Sequence, residues 1–406
     1  MTALADEVLP LIRTRADIHS WRASNAHGAQ MEVAVGILQE AAAQGDPAEV
    51  FAVTQKAIAS ALKIIMRADD SSGIIGDAIR ELLMLHAETS SPAGVAPTKL
   101  VDWMINFQFH NECGFYTIDP VRYAAAMGDV GMARYRKRLE EIRDDLGPAS
   151  DDILDQYSHA RITLQHNDQR LAVYDRDVAA IIRTHARDEQ VPAWLDDTAK
   201  ALAEIGEYDL AIEWAQRAAM LNHRHQALAA ADTWCALVAA HRPEQLLAVR
   251  LEVFRRWPTS STASRLHATA GDSWADLHDE VTDTLSARPR DAVLFSLNTL
   301  HDPQRAWDSA HSLEMTDADV WLDLVKKYEK IDRLAVLPAL EALARNELEN
   351  VGAGHYRTAA RHLKRMRRLA TKTARADDVD ALIEELRQAH RNRPRMQAEF
   401  DKAGLP

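Results

Sequence analysis

The clearest concentration of chemically capable side chains is a basic window near the end of the chain. Between His355 and Arg375 the sequence places eight basic residues and no acidic one. The window carries a formal charge of +8, whereas the chain as a whole carries −13 and the remaining residues therefore −21. A local excess of this size favours contact with an acidic surface, because clustered like charges create a field that attracts the opposite charge.

The same window also has the apolar periodicity of an amphipathic helix. Ala359, Leu363, Met366 and Leu369–Ala370 recur at helical spacing, which predicts a buried stripe with the cations over the remaining surface. Two interpretations follow: a solvated outer helix that balances the acidic body, or a surface that docks an acidic partner or a nucleic-acid backbone. The candidate contact residues are Arg357, Arg361, Lys364, Arg365, Arg367 and Arg368.

Three shorter motifs have simpler structural interpretations. Gly271-Asp-Ser-Trp resembles the nucleophile block of GDSL-type hydrolases, but no strand is predicted before it, so Ser273 is interpreted as a helix N-cap. Asp69–Gly73 lacks the Lys of a phosphate-binding loop and is typical of a capping turn. His110 and Cys113 supply two metal-ligand types, which is too few for a site.

The remaining acids and histidines leave a hydrolase open as the least favoured alternative. Such a site would require His86, His110 and Asp119 to converge from distant parts of the chain. His223 and His225, with His241 nearby, are expected to be solvated. The sequence therefore predicts no catalytic residue, no metal and no cofactor.

Composition restricts the fold that must position these residues. The chain has 406 residues but only 15 Gly and 14 Pro, so few turn formers are present to connect many short strands. Two cysteines do not make a disulfide framework, and there is neither a secretory signal nor a long apolar run. We expect an all-α, cytoplasmic protein without a membrane span. The sequence makes no prediction about its oligomeric state.

Local signals divide this helical chain into three regions. Asp46-Pro47 predicts the start of a helix, and Gly147-Pro148 followed by Ser150 and the acids Asp151 and Asp152 predicts a boundary. We predict an N-terminal helical domain at 1–147, helical repeats at 150–350 and a basic C-terminal helical cap at 351–406.

The middle region carries the clearest periodicity. Residues 191–223 read as two amphipathic helices joined at Gly206, with small Ala199 and Ala211, and they resemble a tetratricopeptide repeat. Trp194, Trp234 and Trp274 recur every 40 residues, and large aromatics at a fixed position can fill the seams between stacked helix pairs. The predicted fold is an α-solenoid of tetratricopeptide-like helical hairpins.

Five longer blocks, which begin at Ser71, Lys99, Tyr123, Gly131 and Tyr356, carry a family resemblance. They resemble the helical C-terminal region of bacterial SWIM zinc-finger proteins and related stand-alone helical proteins. The finger itself requires Cys-x-Cys and Cys-x-His, and this chain has neither, so the resemblance implies a helical fold and no zinc site.

The favoured function is a non-enzymatic helical scaffold that binds a protein or peptide. The alternative is a nucleic-acid-associated accessory protein that uses the basic C-terminal helix.

Overall fold

The computed structural model describes residues 2–110, 114, 116–148 and 158–406. Of these residues 78% are helical and none lies in a β-strand, which confirms the predicted all-α class. Across the same residues, no helix is long and apolar enough to cross a membrane. Cys113, Ser150, Asp151 and Asp152 lie outside the described residues.

The chain forms two compact units, Met1–Ala215 and Gln216–Pro406. The helices of the first unit are α1 (Ala3–Ile12), α2 (Trp21–Gln44), α3 (Pro47–Ile65), α4 (Ile74–Ser90), α5 (Pro97–Phe109), α6 (Ala124–Leu146), α7 (His159–Tyr174), α8 (Val178–Ala186) and α9 (Pro192–Glu204). A 3-10 turn, Pro120–Tyr123, precedes α6, and α6 is kinked at Gly128. Helix α10 (Tyr208–Met220) contains the boundary between the units.

The second unit continues with shorter helices. They are α11 (Arg224–His241), α12 (Leu246–Arg256), α13 (Ser260–Ala270), α14 (Trp274–Ser286), α15 (Pro289–Asn298), α16 (Pro303–Ser312), α17 (Ala318–Tyr328), α18 (Leu337–Glu349), α19 (Ala353–Ala370), α20 (Ala376–Ala389) and α21 (Pro394–Ala403). Two 3-10 turns, Pro243–Gln245 and Gly271–Ser273, lead into α12 and α14. The three-part division expected from the sequence remains a prediction.

Helix starts follow the predicted capping chemistry in the first unit. The Asp46 carboxylate accepts a hydrogen bond from the Ala48 amide at 2.9 Å, and Pro47 opens α3. The Asp69–Gly73 turn caps α4 as predicted, because Asp70 accepts from the Ile75 and Gly76 amides, each at 2.9 Å. Gly73 has a φ of +80°, a conformation that glycine adopts without a steric penalty.

The core of the first unit depends on close approach between α2 and α4. Val8, Met31 and Leu82 are fully buried, and each such side chain contributes about 1.5–3 kcal/mol of hydrophobic stabilisation. Gly28 makes the approach possible, since a Cβ there would lie 2.4 Å from Cγ2 of Ile74. Any larger residue at position 28 would therefore require the Ile74 side chain to shift.

A closed ring of polar side chains ties α5, α6 and α7 together inside this core. The Gln108 amide donates to the Tyr135 hydroxyl at 2.7 Å, and that hydroxyl donates to Oδ1 of Asn167 at 2.5 Å. Nδ2 of Asn167 returns a hydrogen bond to Oε1 of Gln108 at 3.0 Å. All three residues are buried, so the ring satisfies groups that would otherwise lose their water without compensation.

The apolar core at the end of the second unit is built around α19. Leu340 of α18, Leu363 of α19, Ile383 of α20 and Phe400 of α21 are fully buried in one cluster. Because α19 packs against α18, α20 and α21, only one of its faces is left for solvent.

Five tryptophans of the middle region differ in burial. Trp214 and Trp234 are buried, but Trp194, Trp257 and Trp274 are half-buried. Two of the half-buried rings are covered by cations: the guanidinium of Arg187 lies 4.2 Å from the centre of the Trp194 ring, and that of Arg256 lies 4.5 Å from the Trp257 ring.

Candidate functional site

Helix α19 separates apolar and basic side chains as the sequence predicts. Ala359, Leu363, Met366 and Leu369–Ala370 are all buried, which confirms the predicted apolar stripe. Long basic residues rarely sit fully buried without a partner, so the cations of this helix must lie at its flanks or on its outer face.

Four of the six candidate contact residues form one exposed line, which we call the basic ridge. Arg357, Arg361, Lys364 and Arg368 are exposed and follow one another at spacings of four, three and four residues. This spacing keeps them on one face of the helix, and the helical rise gives the ridge a length of about 16 Å.

The other two candidates, Arg365 and Arg367, are half-buried and paired inside the fold. Arg365 lies 2.9 Å from a carboxylate oxygen of Glu329, and Arg367 lies 2.5 Å from one of Asp380. Arg367 also donates to the carbonyl of Gly404 at 3.0 Å. These two arginines connect α19 to neighbouring segments, and their side chains are therefore less accessible to a partner than those of the ridge.

The carboxylates beside the basic ridge are too few to neutralise it. One carboxylate oxygen of Glu329 lies 2.9 Å from a guanidinium nitrogen of Arg365, and the other lies 3.5 Å from one of Arg368. One carboxylate oxygen of Glu399 lies 3.1 Å from the ammonium nitrogen of Lys402, and the other lies 3.7 Å from a guanidinium nitrogen of Arg357. The two carboxylates are 19% and 11% exposed, while the side chains of Arg357 and Arg368 are each 64% exposed. The outer surface is therefore positive.

The middle of the ridge has the least compensation. Arg361 donates to the hydroxyl of Thr358 at 2.8 Å and has no carboxylate partner in the described part of the chain. Lys364 has neither a hydrogen bond nor an ion pair with any described residue. Both charges face solvent, so an incoming acid could reach them without breaking an existing ion pair.

His362 on the buried side of α19 adds no charge to this surface. Burial lowers the pKa of His362, Glu347 opposes the shift, and Arg361 and Arg365 add to it. The imidazole is therefore held neutral more strongly than a solvated one.

The residues of the hydrolase alternative are not brought together. His86 is fully buried, with its ring centre 4.2 Å from that of Phe51 and 4.0 Å from that of Trp103. Asp119 pairs with Arg170 at 2.9 Å, and His110 is exposed at the end of α5. No hydrogen bond or ion pair joins any two of the three candidates within the described residues.

The remaining motifs behave as structural elements, with one correction. His223 and His225 are exposed as expected. No group of three or more potential metal ligands occurs among the residues that the structure describes. Ser273 occupies the N-cap position of α14 as predicted, but its side chain does not make the capping hydrogen bond that such a position normally has. The cause is the 3-10 turn Gly271–Ser273, which runs directly into α14 and leaves Ser273 in a helical conformation instead of the extended one that a cap needs.

Sequence reasoning missed the partners that decide which cations are available. Glu329, Asp380 and Glu399 lie 36, 13 and 42 residues from the arginines that they meet, Arg365, Arg367 and Arg357. No local signal marks these acids, because similar carboxylates are frequent throughout the chain. The ridge itself could have been found from the spacing of the cations alone.

The fold and the site define an all-helical protein that displays a basic helix face. The model of DUF6880, a family of unknown function, matches residues 5–280, and the chain therefore belongs to this family. The match ends before the basic ridge. No SWIM zinc-finger or tetratricopeptide family matches, so the resemblance suggested by the sequence blocks is not confirmed. No curated protein matches the chain.

Proposed function

We propose that the chain is a non-enzymatic interaction protein that binds an acidic segment of a partner protein along the basic ridge. The observation that carries the proposal is the surplus of exposed cations: Arg361 and Lys364 have no carboxylate partner among the described residues. Charge complementarity of this kind mainly accelerates association and selects the partner.

The dimensions of the ridge favour a peptide as the occupant. An acidic helix with carboxylates at the same spacings would have the same rise per residue and could face all four cations. Nucleic-acid binding normally uses more phosphate contacts, about 6–10 in the better-studied cases. It also uses aromatic stacking when the strand is single, and Tyr356, the only aromatic residue of the basic window, is buried.

The scaffold part of the proposal rests on the middle region. We propose that α9 and α10 form a tetratricopeptide-like hairpin within a helical solenoid. Ala199 and Ala211 are fully buried, which suits close helix approach, and Gly206 has a φ of +87° at the turn between the helices.

The test is binding of a fluorescent glutamate-rich peptide to the full chain, followed by anisotropy. The double substitution R361E/K364E removes the two uncompensated cations without breaking an ion pair. We expect it to weaken binding about tenfold or more, since tenfold corresponds to only about 1.4 kcal/mol. Binding by the unaltered chain should weaken with added salt, because solvent-exposed charges are screened.

The matched control is R22E/K99E, which changes the net charge of the chain by the same amount. Both residues are exposed in the first turns of α2 and α5, where an acid suits the helix dipole. We expect the control to keep its affinity within about twofold, a difference below about 0.5 kcal/mol. Absence of peptide binding, or equal losses in both variants, would refute the proposal. Clearly tighter binding of a single-stranded oligonucleotide through the same residues would refute it in favour of a nucleic-acid role.

A further inference from the structure

A second charged feature lies in the second unit, in a small cavity between α14, α15 and α16. The cavity has a volume of about 120 Å³. Its apolar walls include Leu285, Phe295 and Leu300, and its polar lining includes Arg305, Ser296 and Ser309. Leu285 and Phe295 are almost completely buried, so the cavity reaches into the fold.

Arg305 is half-buried in this cavity without a carboxylate partner among the described residues. One of its terminal nitrogens lies 2.7 Å from Nε2 of His278, and the other donates to the Thr282 hydroxyl at 3.0 Å. Because a guanidinium cannot give up its proton in a protein, Nε2 of His278 must be the acceptor. The imidazole proton then lies on Nδ1 and is donated to Asp279 at 2.9 Å.

The carboxylates closest in sequence to Arg305 accept hydrogen bonds from groups other than its guanidinium. Asp302 accepts from the backbone amide of Arg305 at 2.9 Å, and Asp308 accepts from the side chain of Gln304 at 3.1 Å. Asp279 is separated from the guanidinium by the His278 ring. A guanidinium has five N–H donors, and the two neutral contacts of Arg305 leave donors without an anion to meet them.

Two of the serines that line the cavity already donate a hydrogen bond within the protein, and two do not. Ser286 donates to the carbonyl of Asp283 at 2.6 Å, and Ser312 donates to that of Ser309 at 3.4 Å. The hydroxyls of Ser296 and Ser309 make no hydrogen bond with any described residue. Ser296 is buried, so its hydroxyl has little access to bulk water. The cavity therefore offers several donors, one positive charge and no opposing carboxylate.

We propose that this cavity binds a small oxyanion, either inorganic phosphate or the carboxylate of a small acid, through Arg305, Ser296 and Ser309. Charged acceptors strengthen hydrogen bonds from arginine, and a partly buried site amplifies the gain. The volume is several times what a single water molecule needs, so the cavity can admit one small oxyanion.

The experiment is isothermal titration calorimetry of the full chain with inorganic phosphate, and separately with acetate. We expect saturable binding of one of the two anions. Arg305→Gln should weaken it about tenfold or more, equivalent to about 1.4 kcal/mol, because the glutamine side chain is polar but carries no charge. Ser296→Ala should weaken it by a smaller factor.

Arg288→Gln is the matched control, since Arg288 is exposed, lies close in sequence to Ser286 and does not line the cavity. We expect its binding to stay within about twofold of the unaltered chain. Far-UV circular dichroism of each variant separates loss of binding from loss of fold, and Arg305→Lys provides a second variant that keeps the charge. No saturable binding of either anion would overturn the proposal, as would binding that folded Arg305→Gln protein retains. The outcome of the anion titration does not depend on whether the basic ridge binds an acidic peptide.

Discussion

The polar ring of the first unit and the basic ridge of the second differ in whether their polar side chains have partners inside the protein. Gln108, Tyr135 and Asn167 satisfy one another inside the core, so each group is both donor and acceptor to a neighbour. Arg361 and Lys364 lie in the open and leave their charges without a carboxylate partner among the described residues. The first arrangement stabilises the fold and offers nothing to a ligand, whereas the second adds little stability and is available for binding.

The largest predicted effect comes from opening the polar ring. Tyr135→Phe removes the hydroxyl that joins Gln108 to Asn167 and leaves buried groups without their partner. We expect a loss of about 3 kcal/mol in the free energy of unfolding, measured by urea denaturation. Tyr174→Phe, at an exposed tyrosine in α7, should change that free energy by less than about 0.5 kcal/mol. Equal effects at the two tyrosines would mean that the ring does not stabilise the core.

The second prediction concerns the acid sensitivity that a buried histidine introduces. Burial lowers the pKa of His86 from 6.5 to about 3. The unfolded chain then binds more protons than the folded one below pH 6.5, so stability is retained above that pH and lost as the pH falls towards 3. Between pH 6.5 and 4.5 the loss due to this residue should be about 2 kcal/mol.

The comparison that isolates His86 is the slope of stability against pH. His86→Phe keeps an aromatic ring between Phe51 and Trp103 but removes the titrating group, together with the contact of Nδ1 with the Tyr123 hydroxyl at 3.0 Å. The variant should be less stable at neutral pH and should lose less stability on acidification. An unchanged slope in urea denaturation across this range would contradict the role given to burial.

The smallest predicted effect contrasts two adjacent residues of α19. Arg365→Glu places a carboxylate against Glu329 in a partly buried position, where the two groups are 20% and 19% exposed. We expect a loss of about 1–2 kcal/mol, below the cost at a fully buried pair because water screens the repulsion. Lys364→Glu should cost less than about 0.5 kcal/mol.

The comparison of Lys364→Glu with Arg365→Glu also serves as a stability control for the peptide-binding test of the ridge. If Lys364→Glu were as destabilising as Arg365→Glu, the ridge would be a structural surface, and weaker peptide binding in its variants would reflect unfolding. The measurement is again the midpoint of urea denaturation, with both variants compared under the same conditions.

Much of the secondary structure could be predicted because its causes are local. Asp46 and Pro47 start α3 through the carboxylate and the fixed φ of proline, and Ala359, Leu363 and Met366 define the buried face of α19 by their spacing alone. Ser273 shows the limit of this reasoning. A preceding 3-10 turn changed its backbone conformation, and residue type gave no sign of that turn.

The sequence alone determined that the chain is helical, that one late helix is strongly basic and that its cations outnumber nearby acids along the chain. Only the tertiary structure decided that Arg365 and Arg367 are paired while Arg361 and Lys364 face solvent, and that Arg305 lies in a cavity with Ser296 and Ser309. The physical reason is that helical periodicity is a property of neighbouring residues. The free energy of a charge depends instead on which distant carboxylates and how much water surround it.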